Sequence, residues 1–271
     1  MFETIQVENN NGVALITLNR PDKLNSFNTQ MHIEMQQALD NAVADEDVKS
    51  ILITGAGRGF CAGQDLSDRA VSANSENEAE AETAAAPDLS SSIEKYYNPL
   101  IRRITNSPKP VVCAVNGVAA GAGASIAIAC DVVIAARSAS FVLAFANIGL
   151  VPDSACTWNL THAIGLARAK AFAMLGERVK AEQALEWGMI WQVADNDNLM
   201  DEAIVLAERL AAQPPLAMQH TKQLMNTAFE HSLDSQVERE RLAMQYLGKT
   251  EDYKEGVAAF MEKRKPVYQG K

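Results

Sequence analysis

The run Val115 to Asp131, V-N-G-V-A-A-G-A-G-A-S-I-A-I-A-C-D, constrains this chain more than any other. Its first half holds Gly117, Gly121 and Gly123 among small residues, and from Ala124 on it is apolar without Gly or Pro. That pattern predicts a loop opening directly into a helix. The first turn of a helix presents N–H groups with no intrahelical acceptor at the positive end of the helix dipole. Because Gly121, Ala122 and Gly123 have almost no side chain, an oxygen gaining negative charge can come close to those amides. Tight packing of the helix uses Gly and Ala equally well, and the stretch alone leaves both readings open. A dinucleotide-binding turn fits worse: Ile126 stands where a third Gly is needed, and no phosphate-loop Lys follows.

The flanking sequence predicts an α/β chain. Thr4 to Glu8 and Gly12 to Asn19 read as a hairpin about Asn10-Asn11-Gly12. A helix is expected from Asn28 or Thr29 to about Ala44, with Met31, Met35, Ala38, Leu39 and Ala42 at helical spacing. Strands follow at Ser50 to Thr54, Pro110 to Val115 and Val132 to Ala135, and Ile93 to Ile104 is an amphipathic helix. Between residues 67 and 92 the pattern dissolves into alternating Glu and Ala, which reads as a solvated insertion or a lid over a site. Gly176 to Ala194 supplies a short helix and a strand, and four amphipathic helices occupy the rest, from Leu199 to Arg264. The expected division is a core over 1–200 and a C-terminal helical region over 201–271 that contributes to oligomer contacts.

The 271 residues, 48% of them hydrophobic, suffice for a large core. A net charge of −10 argues against nucleic acid as a partner. Cys61, Cys113, Cys130 and Cys156 lie in apolar surroundings without metal-ligand spacing, as buried thiols of a reducing compartment do. The start M-F-E-T-I-Q-V-E-N-N lacks a secretory pattern and no apolar run has membrane-spanning length, so a cytoplasmic protein without membrane contact is expected.

A second stretch of small residues, F-C-A-G-Q-D-L at Phe60 to Leu66, follows the strand at Ser50 and the Gly55-Ala56-Gly57 turn. Two such loops can each offer one N–H to a single oxygen. Taken with N-R-P-D-K-L-N-S at Asn19 to Ser26 and E-G-V-A-A-F-M-E-K-R-K-P at Glu255 to Pro266, the two loops resemble the crotonase (enoyl-CoA hydratase/isomerase) superfamily along essentially the whole chain. The resemblance implies a spiral of ββα units with a helical C-terminal region, and homotrimers often paired into hexamers. It implies an acyl-CoA substrate whose thioester oxygen sits between the amides of Gln64 and Ala122, beside Gly121. It places Lys23, Leu24, Ala62, Gly63, Asp65 and Leu66 along the CoA moiety. Coenzyme A enters only as part of the substrate, so no separate cofactor and no metal are expected. Lys263, Arg264 and Lys265 are in reach of its phosphates by the same resemblance, although a basic last turn also complements the helix dipole.

Hydratases of the family carry one Glu two residues after the last Gly of the Gly-rich turn and another about twenty residues on. Here those positions hold Ser125 and Phe145. Adding water to a conjugated thioester requires one group for the water and one for the α-proton, so the standard hydratase mechanism is disfavoured. A carboxylate does stand at Asp153 in I-G-L-V-P-D-S-A-C-T-W. It reads either as a helix N-cap or, by resemblance to the isomerases and dehalogenases of the family, as the acid/base. Leu150, Val151 and Trp158 are expected to surround it and raise its pKa. The segment resembles the isomerase branch that turns a ring epoxide into an oxepin and shifts a 3,4 double bond to 2,3. Ala155-Cys156 and Thr161-His162-Ala163 depart from that branch's usual Gly-Gly and Leu-Pro-Arg. A broad hydratase and a non-catalytic acyl-CoA binder are the alternatives. His162 reads as structural, and Cys156 lacks a His partner that would make it a nucleophile.

Overall fold

A computed structural model describes residues 2–65 and 89–271 of the chain. Asn11 and Gly12 both adopt positive φ, 49° and 77°, as a two-residue hairpin turn requires. They join β1 (Ile5–Asn10) to β2 (Val13–Leu18) in antiparallel register from Ile5↔Leu18 to Asn10↔Val13. Helix α1 (Thr29–Ala44) is capped by Asn28, whose side chain accepts from the Met31 N–H, and it buries Met31, Met35, Ala38, Leu39 and Ala42.

From there the chain lays strands in two sheets by turns. β3 (Ser50–Gly55) is followed by β4 (Gly59–Cys61), β5 (Val111–Val115) by β6 (Val118–Ala120), and β7 (Val132–Ala136) by β8 (Ser140–Val142). A helix closes each pair: α2 (Leu89–Ser92) and α3 (Asn98–Thr105), then α4 (Ala122–Ile128), then α5 (Cys156–Leu175). β9 (Arg178–Lys180), α6 (Ala181–Glu186) and β10 (Gln192–Ala194) finish the core. The large sheet has the order β1-β2-β3-β5-β7-β10, parallel beyond the hairpin. The small sheet has the order β4-β6-β8-β9, with β9 antiparallel. This is the expected spiral of ββα units in an α/β fold. The strands of the small sheet have three residues each, too short to announce themselves by periodicity.

Helix α7 (Leu199–Ala211), which crosses residues 200 and 201, packs on β3 and β5 and buries Leu199, Ala203 and Ala207. Ser50 Oγ donates to the Ala207 carbonyl at 2.9 Å. The remaining helices α8 (Pro215–Asn226), α9 (Leu233–Leu247) and α10 (Glu251–Glu262) bury few residues, and Phe229, Leu233 and Phe260 are 78%, 76% and 83% exposed. All four cysteines are buried thiols. Among the described residues, no helix is long and apolar enough to cross a membrane. Of the stretch 67–92 expected as an insertion, residues 67–88 lie outside the described residues, as does Leu66.

Candidate active site

The first small-residue loop begins where β4 ends. Phe27 pairs with Gln64 in a parallel bridge: the Phe27 N–H donates to the Gly63 carbonyl at 2.7 Å and the Asp65 N–H to the Phe27 carbonyl at 2.9 Å. In such a bridge the middle residue turns its own N–H to the opposite side. Gln64 therefore faces away from Phe27. Its N–H finds no acceptor among the described residues.

The segment Asn19 to Ser26 holds this loop in place. Arg20 pairs with Asp65 at 2.8 Å, with side chains only 18% and 9% exposed, and donates to the Ser26 carbonyl at 2.6 Å. Asn25 Nδ2 donates to the carbonyls of Ala56 and Gly59, both at 2.9 Å. Lys23 ends a short 3-10 turn (Pro21–Lys23), and the Leu24 side chain lies against Gly59. Asp65 is thus turned toward Arg20 rather than outward.

The second loop links β6 to α4. Gly121 has φ 52° and ψ −125°, a conformation essentially reserved for glycine, and starts the helix at Ala122, two residues before the sequence pattern suggests. Gly123 lies inside the helix because a Cβ there would stand 2.3 Å from the Cys61 carbonyl. Gly63, at φ 91°, abuts the same turn: a Cβ would lie 2.9 Å from the Ala120 carbonyl oxygen and 3.2 Å from the Ala122 nitrogen. Absent side chains thus let the two loops touch, Gly63 against the Ala120–Ala122 backbone. As the first helical residue, Ala122 has an N–H with no acceptor among the described residues.

The two positions where hydratases hold carboxylates meet at this turn. Ser125 is fully buried and donates to the Gly121 carbonyl at 3.2 Å. The Phe145 ring lies 3.8 Å from where a Cβ on Gly121 would be. Ser125 also hydrogen-bonds Cys156, whose thiol burial pushes up to about 11, against the pull of Ser125 and with the Asp153 charge adding to the rise. The Cys156 N–H in turn donates to the Asp153 carbonyl at 3.0 Å. Gly121, Ser125, Cys156 and Asp153 are therefore linked in one chain of contacts.

Asp153 does not cap α5. The cap position is Ala155, which makes no side-chain capping bond, and the Asp153 carboxylate instead accepts from Ser154 Oγ at 3.0 Å. Ser154 and Ala155 both take left-handed φ, 56° and 57°. That double turn takes Asp153 out of the helix, and the residue is half-buried. Val151 and Trp158 are 79% and 47% exposed, so the apolar shroud expected of them is not formed within the single chain.

Comparison with known proteins settles the family. The profile of a family described as enoyl-CoA hydratase/isomerase matches residues 8–271. The chain belongs to the enoyl-CoA hydratase/isomerase family. The 1,2-epoxyphenylacetyl-CoA isomerase of Escherichia coli strain K12 is 50% identical over 271 residues, all of both chains. The trans-2-decenoyl-[acyl-carrier-protein] isomerase of Streptococcus mutans is 36% identical, covering 100% of this chain and 99% of that protein. The crystal structure of enoyl-CoA hydratase from Bacillus anthracis aligns with a TM-score of 0.89 at 31% identity, over 99% of this chain and 100% of that one.

Within this family member the basic C-terminal residues are unequal. Lys263 ends α10 in a left-handed cap. Arg264 is engaged by Glu255 at 2.6 and 2.8 Å and by Glu262 at 2.6 Å, which leaves its guanidinium committed to α10. His162 Nδ1 lies 2.7 Å from the Trp158 carbonyl, and its ring packs on Trp158 and Phe229. Trp158, His162 and Phe229 line a cleft of about 740 Å³ with Met218, Met225 and the partly exposed Lys222–Asp131 ion pair. Neither Gln64, Ala122 nor Asp153 borders that cleft. Sequence reading singles out neither Arg20, although it lies in the N-R-P-D-K-L-N-S motif, nor Tyr97; folding sets the first against Asp65 and the second against Gln64.

Proposed function

We propose that this protein is an acyl-CoA isomerase of the family, acting through a thioester enolate with Asp153 as its acid/base. The observation that carries the proposal is the pair of unspent amides, Gln64 and Ala122, on two touching loops, linked through Gly121, Ser125 and Cys156 to Asp153, with Phe145 rather than a carboxylate against Gly121. The thioester carbonyl oxygen accepts from both amides, which stabilises negative charge on oxygen and acidifies the C2 proton. Asp153 removes that proton and returns it at C4, converting the 3,4 double bond to 2,3. One carboxylate suffices, because the same proton leaves and comes back. The identity to the 1,2-epoxyphenylacetyl-CoA isomerase supports a ring-1,2-epoxyphenylacetyl-CoA substrate, rearranged to an oxepin thioester through the same enolate.

Lys23, Leu24, Ala62, Gly63 and Lys263 border the CoA moiety in this reading, and Asp65 serves by holding the loop. The exposed apolar residues of α8 to α10 suit a homotrimer or a pair of trimers, and we place the protein in the cytoplasm with no cofactor beyond its substrate.

The test is Asp153→Asn, followed by isomerisation of a 3-enoyl-CoA and by C2 deuterium exchange. Both are expected to fall at least about 100-fold, in the range of a lost general base. Wild-type rates for both would refute the assignment, and efficient hydration of 2-enoyl-CoA by the native protein would overturn the isomerase reading.

A further inference from the structure

Pro99 sits two residues into α3, where it has no N–H for the Lys95 carbonyl and its ring crowds that oxygen. The helix widens to accommodate it. Ile93–Tyr97 is π-helical, and the Asn98 N–H reaches back five residues to the Ile93 carbonyl. Tyr97 leaves this turn on the buried face shared with Leu100, Ile101 and Ile104 and is 1% exposed. Its ring meets His32 edge-on at 4.3 Å and Phe27 at 6.4 Å, and its hydroxyl donates to Gln64 Oε1 at 2.9 Å.

The Gln64 N–H belongs to the peptide between Gly63 and Gln64. Gly63, at φ 91°, has no side chain to resist rotation of that peptide. Phe27 pins one end, by donating to the Gly63 carbonyl. The other end, at the Gln64 Cα, is tethered through the side chain that Tyr97 holds. With its carbonyl oxygen and both flanking Cα atoms held, a planar peptide has one orientation. We infer that Tyr97 is a positioning residue for the Gln64 amide: its hydroxyl holds the Gln64 side chain so that the N–H stays directed at the thioester oxygen. The inference rests on the proposal that Gln64 and Ala122 receive that oxygen.

Tyr97→Phe keeps the ring against Phe27 and His32 and deletes the hydroxyl, while Gln64→Leu removes the acceptor from the other side. With a straight-chain 3-enoyl-CoA, each is expected to lower kcat for C2 proton exchange roughly threefold to tenfold, the range of one neutral hydrogen bond, with KM within about twofold. The double variant is expected to be no slower than Gln64→Leu alone, because the Tyr97 contact is already lost there; Gln64→Leu also gives up the long bond from Gln64 Nε2 to the Asp65 carbonyl at 3.4 Å. A saturated acyl-CoA carrying ¹³C in its thioester carbonyl gives a second readout. Its infrared carbonyl band is expected to move to lower frequency on binding the native protein and to move less on binding either variant. Variants that match the native kcat and band position, even with a lower thermal midpoint, would reduce Tyr97 to a packing residue and overturn the inference. A band that does not move on the native protein would instead remove the oxyanion reading, and this inference with it.

Discussion

Gly63→Ala tests whether contact between the two loops makes the site. An added Cβ would lie 2.9 Å from the Ala120 carbonyl and 3.2 Å from the Ala122 nitrogen, whereas ordinary contact begins at 3.4 Å. Both neighbours are backbone, so the loops must part by about half an ångström. The left-handed φ of 91° adds a conformational cost of about 1–2 kcal/mol. If the parting takes one amide out of reach of the developing oxyanion, kcat falls by roughly 100-fold or more. Gly165→Ala is the control: its φ is 76°, yet nothing lies within 4 Å of the added Cβ. It carries a positive-φ backbone cost of its own without the clash. The assay is C2 deuterium exchange on a 3-enoyl-CoA, with the thermal midpoint measured in parallel. Both variants are expected to lose a few degrees, and only Gly63→Ala to lose exchange. Exchange retained by Gly63→Ala within about twofold, in a protein that folds, would refute the reasoning.

Two further outcomes concern stability. Burial alone would raise the pKa of Glu34, but donors from Gln30, Thr4 and the Glu3 and Thr4 N–H groups outweigh it and bring it down to about 2. A depressed carboxylate pKa contributes stability that is present above about 4.5 and is lost as pH falls toward 2. Glu34→Gln is expected to cost roughly 2 kcal/mol at pH 7, as hydrogen bonds to a charged group do, with the gap from the native protein closing below about pH 4 in denaturant titrations. Ala155→Gly relieves a left-handed residue at φ 57°. Set against the greater freedom of Gly in the unfolded chain, it is expected to raise stability by up to about 1 kcal/mol, visible as a higher thermal midpoint.

The parts of the fold legible in the sequence are those whose cause is local. The Asn11-Gly12 turn and the Asn28 cap place the hairpin and α1 almost to the residue. The small sheet is not legible, because β4, β6, β8 and β9 are three-residue strands held by neighbours far along the chain. The α4 boundary is misplaced for a related reason. Gly123 looks like loop, yet it lies in the helix because Cys61 leaves no room for a side chain. In the site, the small-residue loops and the missing Glu residues can be read from type and order. The Arg20–Asp65 pair and the Tyr97–Gln64 bond span 45 and 33 residues, and only folding brings their members together.

The two amides follow neighbouring parallel strands of the small sheet, Gln64 after β4 and Ala122 after β6. Adjacent strands stand about 4.8 Å apart, and two donors at that separation, each about 2.9 Å from a shared oxygen, subtend an angle close to tetrahedral. In the proposed site, sheet spacing therefore acts as a gauge for the charge-bearing oxygen, and it is widened only by a change that forces the two loops apart, as an added Cβ at Gly63 would. Asp153 stands on no strand but on the double left-handed turn ahead of α5, which is free of that gauge. In the proposed mechanism a change of reaction can accordingly be made at that turn, while the two amides keep their spacing.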